Sequence, residues 1–577
     1  MNSRTNALSL ATLVGASVLA ATTLLPTPAR ACGGMFCDGG PTAMPVDQTG
    51  ENILFHITDT SVEAHIQVQY DPESEAEAFA WVIPVTAVPE FAVGSELMFT
   101  AMLNASVPRY GLQVQNDFCG GADDGADPSN GLTGSGDGGG EGGDGEEGGD
   151  PEVVLSTSVG AFQIDVLEGG TVEGVMQWLA DNGYQQDLAA EPILAEYLAE
   201  DFLFVAMKLS NRAGVDEIHP IVIRYAGDEP CVPIRLTRIA AAEDMDIRTF
   251  FLQDARVVPV NYRHVLVNPL MLDWVNNAAN YKEVISMAVD AQEADGNAFV
   301  TEYAGPSNII PTWQIYQQWV SAPFASFADS PVGVIEELEN QGLMICDTDW
   351  DVRCTYNHPL LEPILDQYIP VPVGVPANEF YDCLSCFQDQ IDLAAWNADG
   401  FVAMLDERVI DPAVAAVELI EQNPYLTRMY TTISPSEMNA DPIFRMNTTL
   451  GDVANVNFAS QTNHCDGSAT ITLPDGRQVL FPDSTDVVWP EFPGEMPWEE
   501  EVDQENMAQN APLMVLSNNT DRINELLEAH NQLAQTQIDE LTGASAGCGC
   551  EADDDSRGGL ALGLATLALF GFVRRRR

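Results

Sequence analysis

Lysine is almost missing from this chain. Only Lys208 and Lys282 occur, and basic residues number 23 against 87 aspartates and glutamates, a formal net charge of −64. Nucleic-acid binding rests on a basic face that neutralises phosphates, so no nucleic-acid partner is expected. A phosphate-binding loop needs lysine after its glycines, and neither lysine is so placed. There is no H-E-x-x-H pair and no G-x-S-x-G nucleophile turn. The seven histidines, His56, His65, His219, His264, His358, His464 and His530, are scattered. The sequence therefore names no catalytic residue, no cofactor or cofactor-binding residue and no metal set. So acidic a chain repels itself when unscreened. Its carboxylates suit a saline medium, where the Debye length falls to about 3 Å at 1 M salt; plain solubility is the blander explanation.

Long apolar runs are confined to the two ends. Residues 1–31 carry Arg4, an apolar run from Ala7 to Leu25, then Ala29-Arg30-Ala31, the small-x-small ending of a signal peptide. Cleavage is expected after Ala31. An N-terminal anchor, or lipidation of the Cys32 left at the new terminus, are the alternatives. At the other end Cys548 and Cys550 precede an acidic stretch, a 16-residue apolar helix over 558–573 and four arginines, Arg574 to Arg577. The apolar run is short of the roughly 20 residues a spanning helix needs, and the arginines would hold that end inside. The tail resembles the myxobacterial C-terminal sorting domain (MYXO-CTERM). That resemblance implies a sorting protease, clipping near Cys548 or Cys550, and membrane attachment through the retained cysteine. An ordinary tail anchor predicts nearly the same place.

Nine cysteines remain between the ends, and in an exported chain they read first as disulfides. Local pairs are expected for Cys32 with Cys37 and Cys346 with Cys354. Cys383-Leu384-Ser385-Cys386 has the spacing of a dithiol redox pair but reads as a structural disulfide. With Cys354 and His358 it also has zinc-like spacing, which oxidation would abolish. Asp347, Asp349 and Asp351 imitate the opening of a calcium loop, but Val352 stands where its glycine belongs and His358 where its glutamate belongs. Weakly bound cations are the most such a loop offers.

Between the ends the reading is α+β, with largely antiparallel sheets, packed helices, a disordered Gly/Asp loop and the short C-terminal transmembrane tag. Residues 52–58 and 62–70 form a hairpin, since Val62, Ala64, Ile66, Val68 and Tyr70 alternate with polar residues. Phe79 to Val85 is a strand, and Ser95 caps a helix to about Asn104. From Gly120 to Asp150 stand 14 glycines, nine acidic residues and no basic ones, a solvated loop rather than a calcium roll. Strands are expected at Val159–Leu167, Phe202–Leu209, Ile218–Tyr225 and Val232–Ile239, with helices at Thr171–Asn182 and Glu191–Glu200. The expected units are a β-rich α+β domain over 32–265, interrupted by the loop 120–150, and a mainly helical region over 266–481 with a β-rich end. An acidic, Pro-rich spacer over 482–520, an amphipathic helix over 521–542 packing back on the body and the sorting tag 543–577 complete the order.

Ala31-Cys32-Gly33-Gly34-Met35-Phe36-Cys37, Val46 to Glu51, Phe79 to Val85, Pro233 to Thr237 and Leu426 to Thr431 resemble one bacterial family known as domain of unknown function 2330. The resemblance runs from Cys32 to about Pro442 and implies an exported bacterial protein, with no activity to carry over. The expectation is therefore an exported, cell-surface protein, membrane-anchored by its tag, with a non-enzymatic binding or structural role and an unidentified extracellular ligand. The rival is an exported hydrolase with a carboxylate site outside known motifs. The geometry around His65, Trp81 and Arg235 discriminates between them.

Overall fold

The computed structural model describes residues 48–70, 80–117, 151–184, 188–209, 217–227, 230, 232–239, 241–347, 353–492, 495–506, 508 and 510–546. Ala31 and the leader, Cys32, Cys37, the loop 120–150, Asp349, Asp351, Cys548, Cys550 and the apolar segment 558–573 lie outside the described residues.

The expected hairpin forms the heart of the molecule. Strands Gln48–Ile57 and Ser61–Tyr70 pair antiparallel, closed by a turn in which Thr58 and Ser61 bond each other. Around it lies a ten-stranded sheet. Its order is Met514–Asn518, Glu499–Gln504, Arg263–Val267, Ala298–Pro306, Tyr425–Ile433, Ala241–Gln253, Gln48–Ile57, Ser61–Tyr70, Ile221–Ala226, Glu90–Val93. Two neighbouring pairs run parallel, Gln48–Ile57 with Ala241–Gln253 and Arg263–Val267 with Ala298–Pro306, and the rest antiparallel. The fold is thus mixed α/β with antiparallel and mixed sheets.

Side-chain alternation sends each strand's residues to two different layers. Ile53, Phe55, Ala64, Ile66, Ile247 and Phe251 pack against Trp81, Ile83, Ile164, Val166, Val205 and Met207 of a second sheet. That sheet is ordered Ala80–Val85, Leu203–Leu209, Phe162–Glu168, Glu152–Val159. Its far face (Val82, Leu167, Phe204, Ala206) is covered by helices Val172–Asp181 and Ala190–Ala199. Leu54, Phe250, Leu252 and Leu426, on the other face of the large sheet, meet helix Glu96–Ser106 and a helical layer drawn from 310–420. A buried Arg428–Glu302 pair fastens that helix down, Arg428 also donating to the Leu103 carbonyl at 3.1 Å. Ser95 caps its helix as expected, accepting from the Met98 backbone N–H, and Thr171 caps another by accepting from the Gly174 N–H.

Several expectations need correction. Val232–Ile239 is not a strand. Pro233 cannot donate to a ladder, and Ile234–Thr237 turns as a short helix instead. Val159–Leu167 is not one strand but the join of two, broken at Gly160, which sits at φ +55°. The boundary at 265/266 falls inside the ten-stranded sheet, whose strands come from residue 48 to residue 518. The spacer 482–520 contributes two strands of that sheet, Glu499–Gln504 and Met514–Asn518. Its carboxylates are matched by arginines the local composition does not reveal, Glu500 by Arg477 and Glu505 by Arg445. The last helix, Thr520–Ala546, packs back through buried Ile523 and Leu527 against a separate four-stranded sheet that ends in strand Gln478–Phe481. Leu533 and Leu541 on that helix stay exposed. No helix among the described residues is long and apolar enough to cross a membrane.

Candidate ligand-binding cleft

At the Glu90–Val93 edge of the large sheet lies a cleft of about 590 Å³. Phe91, Val93 and Val222 give it apolar surface, and Thr157, Ser158 and Val159 close it from the second sheet. Gly94 turns the chain here: its N–H donates to the Pro220 carbonyl at 2.7 Å, and a Cβ would sit 2.8 Å from the Pro220 ring. The volume lies within the usual range for small-molecule sites.

The sheet contributes His65 and Arg224 to the lining. Glu63 and Arg224 are cross-strand partners, and His65 stands two residues along the same face. Arg224 donates twice to Glu63, at 2.7 and 3.1 Å, and His65 Nε2 lies 2.7 Å from the same carboxylate. Burial alone would raise the Glu63 pKa, but the bonds from His65 and Arg224 outweigh it and hold it at about 2. An ionised acceptor leaves the Nε2 proton on the imidazole. In the neutral ring Nδ1 is then a lone pair, buried and without a donor, on a side chain only 4 % exposed.

The helical layer contributes Asp406, Glu407, Asp411 and Pro412. They sit where helix Ala398–Leu405 widens into one π-helical turn, Asp406–Ile410, before continuing as Asp411–Gln422. Pro412 has no N–H for the regular ladder, and the Asp411 N–H reaches back to the Asp406 carbonyl instead. The turn is pinned from three sides. Arg408 pairs with Glu217, Asp406 accepts from Ser321 Oγ at 2.9 Å, and Glu407 accepts from the Gly160 N–H at 3.0 Å. Gly160 is itself fixed by His219, whose Nε2 accepts from Ala161 N–H while Nδ1 donates to the Pro220 carbonyl. Burial pushes His219 down to about 4, so it stays neutral in that role. Asp411 is solvent-facing, and burial plus the nearby Asp406 raise its pKa. The lining thus holds three carboxylates against one guanidinium, and Glu63 already neutralises that one.

Of the three residues singled out from sequence, only His65 reaches this cleft. Trp81 is buried between the two sheets. Arg235 lies elsewhere, bonded to Glu200 and Asp441 and stacked 4.1 Å from the Tyr197 ring. Sequence reasoning missed Glu63, Asp406, Glu407 and Asp411. The one local signal was Asp-Pro at 411–412 inside a helical pattern.

A second polar group lies near the opposite edge. His264 Nε2 is 2.9 Å from Thr301 Oγ1, and Arg256 Nη2 reaches both, at 3.2 and 3.1 Å. Asp503 is the cross-strand partner of His264, and one of its oxygens is buried without a bond. Arg256 also donates to the Gly451 carbonyl of the covering 446–452 loop.

The described cysteines follow the disulfide reading. Cys346–Cys354 joins the facing strands of a small hairpin, and Cys383–Cys386 closes on itself. Cys465 is also disulfide-bonded. The zinc spacing is thereby void of thiolates: Cys354, Cys383 and Cys386 are oxidised, and the buried His358 accepts from the Leu360 N–H. Among the described residues no group of three or more His, Cys, Asp or Glu could hold a metal ion.

Residues 26–328, more than half of the chain, match the model of a family described as uncharacterized proteins conserved in bacteria (DUF2330), and the chain belongs to that family. The matched residues stop short of Leu426–Thr431, where the sequence resemblance had also been drawn. No curated protein and no solved structure matches the chain.

Proposed function

We propose that the protein is exported and anchored at the bacterial cell surface, where it binds a small ligand in the cleft beside His65 without transforming it. The observation that carries the location is the cysteine chemistry. All five described cysteines are in disulfides, a state that persists in oxidising compartments and is rare in the cytosol. The signal-like leader ending at Ala31 and the sorting-type tail around Cys548 and Cys550 fit the same route, with membrane attachment and a sorting protease as the partners they imply.

Binding is favoured over hydrolysis by how the cleft carboxylates are held. A hydrolytic pair needs two carboxyls free to reach a substrate. Here Asp406 is tied to Ser321 and Glu407 to the Gly160 amide, so both serve first to fix the cleft's shape. The test is surface proteolysis of intact cells with mass spectrometry of the released protein. We expect cleavage from outside, a mature N-terminus at Cys32 and no Arg577. A protein found only inside, or one retaining both ends, overturns the location.

A further inference from the structure

We infer that the cleft beside His65 takes an organic cation, an ammonium or guanidinium group carried on a small, partly apolar molecule. This rests on reading the cleft as a binding site and goes on to name the chemistry of its ligand.

Three features converge. First, the lining is unbalanced: Asp406, Glu407 and Asp411 face one arginine, and that arginine is already doubly bonded to Glu63. A positive ligand relieves the mutual repulsion of Asp406 and Asp411; a negative one adds to it. Second, the donors of the lining are already used. Arg224 donates twice to Glu63, and the His65 Nε2–H bonds the same carboxylate. The groups left for a ligand are therefore acceptors, which call for N–H donors. Asp406 and Glu407 each use one bond on the protein and keep further lone pairs. A ligand suited to this set carries several N–H donors, as ammonium and guanidinium groups do.

Third, the alternatives fit less well. A metal ion needs three or more convergent ligands, and no such group exists among the described residues. A neutral sugar would leave the charge imbalance in place. The volume of about 590 Å³ and the apolar surface of Phe91, Val93 and Val222 suit a molecule with a hydrocarbon part. Only the cationic end need meet Glu407 and Asp411, the two cleft carboxylates that face solvent.

The experiment is calorimetric titration of the purified protein with agmatine and with spermidine, in 50 mM NaCl, with calcium chloride as the metal comparison. A chain this acidic attracts any cation, so the controls decide the outcome. The cleft pair Glu407→Gln with Asp411→Asn is compared with a surface pair, Glu283→Gln with Glu336→Gln, which removes the same charge elsewhere. We expect saturable one-to-one binding of at least one amine, weakened tenfold or more by the cleft pair and less than twofold by the surface pair. Thermal melts of both variants confirm that they fold. Equal weakening by the two pairs means the amine reads only overall charge and overturns the inference. Calcium binding with the same dependence on the cleft pair, or no binding of either amine to folded protein, overturns it too. Surface proteolysis is independent of all these titrations, so failure of the ligand class and failure of the location remain separable.

Discussion

The large sheet carries the same three side-chain types near both of its edges, and they behave in opposite ways. Ser61–Tyr70 is third from one edge and holds His65 with Glu63 and Arg224; Arg263–Val267 is third from the other and holds His264, facing Asp503 and bonded to Arg256. In the cleft, Arg224 and the His65 N–H both bond the carboxylate, and Glu63 falls to about 2. At the closed end the arginine bonds the imidazole and Thr301 instead. Asp503 is left desolvated beside Glu501 and rises to about 6. The tautomers are reversed as well. His65 carries its proton on Nε2, towards Glu63, whereas the Arg256 donor makes His264 Nε2 an acceptor and puts the proton on Nδ1. Which group the arginine bonds, not which residues are gathered, sets the charge state of each trio. One trio is a polar wall beside an open cleft; in the other, the buried Arg256 is also bonded to the Gly451 carbonyl.

Acid sharpens this contrast most. Burial lowers His264 to about 3, with Arg256 adding to the effect, and lowers His219 and His358 to about 4 each. The unfolded chain takes up a proton at each near pH 6.5 and the folded chain does not. Their stability is therefore complete above about pH 6.5 and is lost as pH falls towards 4. Asp503 acts in the other direction between about 6 and its ordinary 3.8, but it is one group against three. Unfolding at pH 4 should be easier than at pH 6.5 by several kcal/mol. Denaturant midpoints across that range check it, and a flat profile would show that these histidines are open to protons in the folded state.

The next largest effect compares the two arginines. Arg256→Ala strips partners from Thr301, His264 and the Gly451 carbonyl and leaves Asp503 without a nearby cation, a loss on the order of 3 kcal/mol. Arg224→Ala, at a side chain 38 % exposed, should lose less than about 1 kcal/mol. Urea melts of the two variants decide; equal losses would mean the closed end is no better sealed than the cleft.

Asp503→Asn is smaller and opposite in sign. The folded pKa is raised, so ionisation of Asp503 weakens the fold increasingly as pH climbs from about 3.8 through 6. Removing the charge should stabilise the protein at pH 7 by roughly 1–2 kcal/mol and by nothing at pH 3.5. A loss of stability at pH 7 would place a bonded partner on the free oxygen.

What the sequence made legible follows from how local each signal is. The 52–70 hairpin, the cap at Ser95, and the Cys346–Cys354 and Cys383–Cys386 bonds depend on residues within a few positions of one another. Ile234–Thr237 was misread because Ile and Leu two apart fit one helical turn as well as a strand. The spacer was misread because Pro and Glu density hides partners such as Arg477, 23 residues from Glu500. The cleft was illegible for the same reason on a larger scale. Its lining comes from positions near 65, 91, 158, 224 and 407, and only the sheet order brings them together.

The smallest stability change is expected where the largest binding change is. Asp411 is exposed, and its pKa is raised by burial and by Asp406. A raised carboxylate weakens the fold when ionised, so Asp411→Asn should stabilise the ligand-free protein by a few tenths of a kcal/mol at pH 7. Because the cause is partly repulsion between exposed charges, that gain should shrink as salt rises from 20 mM to 1 M and the Debye length falls to about 3 Å. The same substitution in Asp503 is sealed from salt and should keep its gain. Melting temperatures of the two variants at both salt concentrations test the pair directly. A salt-sensitive Asp503 variant with a salt-insensitive Asp411 variant would reverse the assignment of open and closed ends. Parallel behaviour would mean both sites see the same solvent. A stabilised Asp411 variant that no longer binds an amine would separate the two roles of this carboxylate.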